Sequence, residues 1–109
     1  MAEKSARERI EAMPQTFRPE RAGRASCTVQ FHISGEGGGD WHVTIQDRKC
    51  TVTEGVSNAA DATLNMDASD YVDLATGKLN SMKAFMSGKV KASGDVSLLQ
   101  RMDRWFVRQ

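Results

Sequence analysis

A chain of 109 residues, 39% of them hydrophobic, is the size of one domain and buries roughly two-thirds of the surface its unfolded form would expose; a single domain over residues 1–109 is expected. Fifteen basic and fourteen acidic residues, interspersed, leave a net charge of +1, so the chain as a whole strongly invites neither nucleic acid nor an anionic membrane. No apolar run approaches the roughly 20 residues needed to cross a bilayer, and the charged start Met1-Ala2-Glu3-Lys4 is unlike a signal peptide, so the expectation is a cytoplasmic protein in at most transient contact with membranes.

From Ser5, the residues Ala6, Ile10 and Met13 recur at helical spacing, and Pro14 is expected to close this first helix. Phe17 continues the apolar stripe. Pro19-Glu20-Arg21-Ala22 reads as one more helical turn, with Pro at its start and Gly23 beyond its end.

Three strands follow. Cys27, Val29, Phe31 and Ile33 alternate strictly with Thr28, Gln30, His32 and Ser34, the period-2 pattern of a half-buried strand. Trp41, Val43 and Ile45 repeat it against His42, Thr44 and Gln46, and Cys50 and Val52 add a third. Gly35 to Asp40 joins the first pair as a hairpin loop, and Asp47-Arg48-Lys49 joins the second. The two cysteines fall on the apolar phase of their strands and lack Cys-x-x-Cys spacing, so they read as small buried hydrophobes with no disulfide.

After the linker Gly55 to Ala59, a fourth strand places Ala62, Leu64 and Met66 on one face. Asp67 then caps a helix running through Ala75, with Gly77 as a left-handed stop. A second helix is expected to carry Leu79, Met82, Phe85 and Met86 on its core side and to end at Gly88. Val90 and Ala92 give a fifth strand. Asp95 caps a last helix in which Leu98, Leu99, Met102, Trp105 and Phe106 share an arc of about 120°. The sum is an α+β layer architecture, a five-stranded, mostly antiparallel sheet with helices covering one face.

The run Gly77-Lys78-Leu79-Asn80-Ser81-Met82-Lys83-Ala84-Phe85-Met86-Ser87-Gly88-Lys89-Val90-Lys91-Ala92-Ser93-Gly94-Asp95 follows the strand Ala62-Thr63-Leu64-Asn65-Met66. With Met13-Pro14, Pro19-Glu20-Arg21-Ala22-Gly23, the strand from Val29 to Gly35 and Trp41, this run resembles in order and spacing the sterol carrier protein type two domain family. The resemblance implies a domain that holds a fatty acyl chain, acyl-CoA or sterol in an apolar cavity, with no catalytic residues and no cofactor. It also implies a crossover between the third and fourth strands. Members of the family usually carry Gly after the Asp at position 47; Arg48 departs from that pattern, which bears on the turn type. The end Phe106-Val107-Arg108-Gln109 is not the Ser-Lys-Leu address of some relatives, so a peroxisomal location is not expected.

Other chemistry finds little support. The glycine-rich loop fails the Gly-x-Gly-x-x-Gly fingerprint at Asp40 and reads as a flexible hairpin. His32 and His42 fall on the polar phase of neighbouring strands without a third ligand at a suitable spacing, so neither a metal nor a catalytic site is expected. Asp61, Asp67, Asp70 and Asp73 read as caps and a wet helix face. Lys78, Lys83, Lys89 and Lys91 form the one local basic cluster, read first as solubilising residues and second as contacts for phosphates of a CoA head group or an anionic lipid.

Apolar excess remains. Six methionines, with Met66, Met82, Met86 and Met102 assigned to core faces, either fill an irregular core or line an adaptable cavity, and the family resemblance favours the cavity. The expected lipid-binding set is Phe31, Ile33, Val43, Ile45, Leu64, Met66, Tyr71, Leu74, Leu79, Met82, Phe85, Met86, Leu99, Met102 and Phe106, with Tyr71, Asn80 and Lys83 near the head group. The segment from Ser97 to Phe106 is the expected lid. The alternative is a non-catalytic accessory or dimerisation domain that docks on a lipid-modifying enzyme; a homodimer and a partner enzyme both stay open.

Overall fold

A computed structural model describes residues 5–107 as six helices and five strands. The first helical stretch divides. Ser5 and Glu8 form a reciprocal capping box at the start of α1 (Ala6–Glu11), and α1 stops at Ala12, where α2 (Met13–Thr16) begins. Pro14 therefore opens a second turn and does not close the first helix, because a proline in a first turn gives up an N–H that has no intrahelical partner anyway. α3 (Pro19–Ala22) follows and ends at Gly23.

The strands β1 (Cys27–Ser34), β2 (Gly39–Gln46), β3 (Lys49–Glu54), β4 (Ala62–Asp67) and β5 (Val90–Gly94) form one sheet in the order β3-β2-β1-β4-β5. Every neighbouring pair is antiparallel except β1 with β4, which is parallel. That one parallel pair requires the crossover from β3 to β4. Register brings Cys27, Val29 and Phe31 opposite Ile45, Val43 and Trp41, so the alternating apolar residues of both strands share one face. All six are buried.

The polar residues of β1 on the opposite face keep contact with water, with one exception. Gln30 is 2% exposed, because the crossover lies over it. Its Nε2 donates to the carbonyls of Trp41 (3.0 Å) and Gly55 (3.1 Å), and its Oε1 accepts from the Ser57 N–H at 2.7 Å. Asp61 completes the attachment, its N–H donating to the Thr28 carbonyl and its carboxylate accepting from the Thr28 N–H. The sequence expectation put Gln30 on the wet face; the face is right, but the crossover has dried it.

Between β2 and β3, the pairing of Gln46 with Lys49 leaves a two-residue loop. Asp47 and Arg48 both have positive φ, 53° and 63°, as the primed hairpin turn demands. Arg48 thus keeps the tight turn at the cost of a left-handed backbone on a residue with a Cβ.

On the apolar face, α4 (Ala68–Ala75) packs against β1 and β4, α5 (Ser81–Met86) against β5, and α6 (Val96–Asp103) against β4, while α2 covers the β3 edge. Asp67, Asn80 and Asp95 cap α4, α5 and α6 with their side chains. The last helix is shorter than its apolar arc predicts. It ends at Asp103, and Phe106 instead bridges Phe17. The two rings lie 5.4 Å apart, the Arg18 N–H donates to the Trp105 carbonyl at 2.7 Å, and the Val107 N–H donates to Thr16 at 3.0 Å. These pairings fasten the segment expected to move as a lid to the chain between α2 and α3.

Candidate functional site

The helices do not close down on the whole sheet. Over β2 and β3 the core is filled, with Trp41, Val43 and Ile45 each 0% exposed and the Arg7 guanidinium stacked 5.0 Å from the Trp41 ring centre. Over β1, β4 and β5 a cavity of about 470 Å³ remains. Its floor is a cross-strand row of Phe31, Leu64 and Ala92, with Met66 and Val90 paired in the next row. Met13 of α2, Tyr71 and Leu74 of α4, Met82 and Phe85 of α5, and Leu99 and Met102 of α6 form the walls, and Phe106 closes one side. This lining is mostly apolar and its volume lies within the usual range of small-molecule sites.

Ten of the fifteen expected lipid-binding residues meet here: Phe31, Leu64, Met66, Tyr71, Leu74, Met82, Phe85, Leu99, Met102 and Phe106. Five do not. Val43 and Ile45 are on the correct face but beneath the filled half of the core. Ile33 pairs with Met66 next to the start of α4 and is buried there, outside the cavity. Leu79 is half-buried in the connection before α5, where its N–H donates to the Asp73 carbonyl. Met86 is 79% exposed; α5 turns Ala84 inward, which points Met86 away from the sheet. Met82 and Phe85, 60% and 49% exposed, also leave the core face assigned to them and stand at the rim. With Val96 they mark the mouth of the cavity between α5 and α6.

Arg9, Thr16, Tyr71, Ser81, Gln100 and Asp103 contribute the polar groups of the lining. Burial pushes the Tyr71 phenol up to about 12; Arg9 opposes the shift and the negative charge of Asp103 adds to it. The phenol is therefore neutral at physiological pH and available as a donor beside an apolar chamber. The Phe31 ring packs against it in a tilted arrangement, with ring centres 6.2 Å apart. Asn80 and Lys83, expected near a head group, do not line the cavity, although Ser81 and Met82 between them do; the Asn80 carboxamide oxygen accepts from the Met82 and Lys83 N–H groups as a cap. Val90 and Ala92 were legible as the inward phase of β5, whereas Arg9, Thr16, Gln100 and Asp103 carry no sequence signal, since polar residues on short helices read as solvated.

Catalytic chemistry has little to work with. His32 Nδ1 lies 2.6 Å from Asp40 on the polar face, while His42 Nδ1 lies 3.2 Å from the Gly55 carbonyl; the two histidines engage different partners and not each other. Among the described residues no group of three His, Cys, Asp or Glu is arranged to hold a metal. Cys27 and Cys50 are free thiols on the two sides of Ile45. Burial raises both, Cys50 to about 12, so neither is a ready nucleophile. No helix among the described residues is long and apolar enough to cross a membrane.

Comparison with known proteins agrees with this geometry. The model of the SCP-2 sterol transfer family matches residues 8–107. Hydroxysteroid dehydrogenase-like protein 2 of Xenopus tropicalis is 33% identical over 98 residues, covering 89% of this chain but 24% of the relative, so the chain spans about a quarter of that protein's length. Among solved structures, a double mutant of the sec-alkyl sulfatase PisA1 superposes with a TM-score of 0.84 at 19% identity, over 93% of this chain and 17% of the enzyme. Palmitated SCP2L2 from Aedes aegypti superposes with a TM-score of 0.73 at 25% identity, over 91% of this chain and 88% of that protein. With a family model matched over residues 8–107, the chain belongs to the SCP-2 sterol transfer family.

Proposed function

We propose that this chain is a non-catalytic lipid-binding module that takes one acyl chain, or an apolar molecule of similar bulk, into the cavity over β1, β4 and β5. The observation that carries this reading is the chamber itself, about 470 Å³ lined mostly by apolar side chains between the sheet and the helices. The palmitated relative supports a fatty acyl occupant. Mechanism here is partition. Each methylene leaving water contributes about 0.8 kcal/mol, so a sixteen-carbon chain gains on the order of 12 kcal/mol. A bilayer offers nearly the same gain, so the two burials largely cancel. Selectivity then comes from the length of the chamber and from Tyr71, Arg9, Gln100 and Asp103 in its lining.

A second reading has its own support. Two of the relatives named above, the Xenopus tropicalis protein and the PisA1 sulfatase, are several times longer than this chain and carry enzyme names, which favours a module that serves a lipid-modifying enzyme as partner. Native mass spectrometry of freshly purified protein, followed by organic extraction, separates the two. Adducts matching fatty acids or phospholipids are expected of the carrier. A clean apo mass that stays unchanged after incubation with fatty acid, acyl-CoA and sterol would refute it in favour of the accessory domain.

A further inference from the structure

The face of α5 is turned inside out. At 100° per residue, Met82, Phe85 and Met86 occupy an arc of about 100°, and Ala84, fully buried, lies on the other side. A helix would ordinarily direct its large apolar residues to the core and its alanine to water. Here the three large residues, with Val96 across the cavity mouth, make an exposed apolar ridge. The left-handed glycines Gly77 and Gly88, with φ of 83° and 82°, bracket the segment.

Along the segment that carries α5 the charge has one sign. From Gly77 to Gly94 there are four lysines and no carboxylate, in a chain whose net charge is only +1. Lys83 lies on α5 itself and Lys89 just beyond it, and among the described residues neither is held in an ion pair. Lys91 alternates with Val90 and Ala92 and so belongs to the opposite face of the sheet. Asp95, beside Val96, is engaged by Ser97, the Leu98 N–H and Arg101.

We infer that this ridge docks the protein on an anionic lipid bilayer, with Met82, Phe85 and Met86 entering the interface and Lys83 and Lys89 meeting lipid phosphates and carboxylates. The inference rests on the carrier reading in that the ridge forms the mouth of the lipid chamber, so docking aligns the opening with the source of the cargo. A second copy of the chain is a poor occupant. A two-fold contact across this face would set Lys83 and Lys89 against themselves. Apolar insertion together with attraction of lysines to anionic lipid is the usual chemistry of interfacial binding.

Flotation of the full chain with vesicles of phosphatidylcholine alone, and of phosphatidylcholine with phosphatidylserine, tests this directly. Uptake of a fluorescent fatty acid is measured separately without vesicles. Wild-type protein is expected to float with the anionic vesicles and to be released by salt. Lys89→Glu is expected to weaken partitioning about thirty-fold and Met86→Ser about tenfold. Neither residue lines the cavity, so both variants should take up fatty acid as wild type does. Equal flotation with neutral vesicles, unchanged flotation of both variants, or fatty-acid uptake without any flotation would overturn the docking face. Flotation with anionic vesicles and no fatty-acid uptake would keep the docking face and refute the carrier reading instead.

Discussion

Ala92 offers the sharpest test of the cavity. It is the smallest side chain in the floor row Phe31, Leu64 and Ala92, and it projects into the chamber from the edge strand β5. Ala92→Phe would put an aromatic ring where an acyl chain is proposed to lie. The ring excludes roughly the space of four methylenes, each worth about 0.8 kcal/mol on burial, so binding of a long chain should weaken by about 3 kcal/mol, or more than a hundredfold. Stability should move little or rise, because the added surface enters empty volume and displaces no packed neighbour. Titration with fatty acids of increasing length gives the affinity, and urea unfolding gives the stability. The loss should be greatest for the longest chains. If Ala92→Phe remains folded and binds a sixteen-carbon acid as tightly as wild type, the ligand is held elsewhere and the cavity argument fails. Marked destabilisation would show instead that the chamber is collapsed in solution.

Three further outcomes are expected. Tyr71 is the single tyrosine of the chain, so ultraviolet absorbance of phenolate reports it alone; its midpoint should fall near 12 and not near the ordinary 10, and return toward 10 on unfolding. Because the fold favours the neutral phenol, its contribution to stability is complete below about pH 10 and is lost as pH rises toward 12, an effect on the order of 2 kcal/mol that Tyr71→Phe should remove. Gln30→Leu should cost about 3 kcal/mol in denaturant unfolding, since the Trp41 and Gly55 carbonyls and the Ser57 N–H lose their partner under the crossover; a loss under 1 kcal/mol would mean that water replaces the carboxamide. Arg48→Gly should raise the unfolding midpoint by an amount equivalent to about 1 kcal/mol, because glycine takes the left-handed backbone at φ 63° without Cβ strain; a decrease would show that the Arg48 side chain stabilises the turn.

What could be read in the residues, and what could not, divides along physical lines. Strand periodicity is a local property. Val29, Phe31, Trp41, Val43, Leu64 and Met66 each followed from alternation, and the register then placed them on one face without any further signal. Helix starts were equally local at Asp67 and Asp95, whose side chains close the first turns. The failures all depend on something distant. Gln30 is dry because a crossover more than twenty residues later covers it. Phe106 left the predicted helix because Phe17, at the other end of the chain, offered both a ring and backbone partners. Val43 and Leu64 are both inward-facing residues of the two strands that flank β1, yet one is core and the other cavity floor. Which of them meets empty space is decided by where α1 and α2 pack, and no pattern along the sheet encodes it.

The reversal of α5 belongs with these cases and shows how function enters. Apolar residues at helical spacing predict a buried face, and Met82, Phe85 and Met86 satisfy that spacing. In a helix of six residues, however, the only inward position is Ala84, small enough to let the backbone approach β5. Turning the same helix to bury Met82, Phe85 and Met86 would fill the chamber mouth and satisfy the hydrophobic pattern at once. The exposed arrangement forgoes burial worth several kcal/mol, which a fold selected for stability alone would not leave unused. Local departure from a packing rule, beside a cavity and amid like charges, is where a binding surface is to be sought.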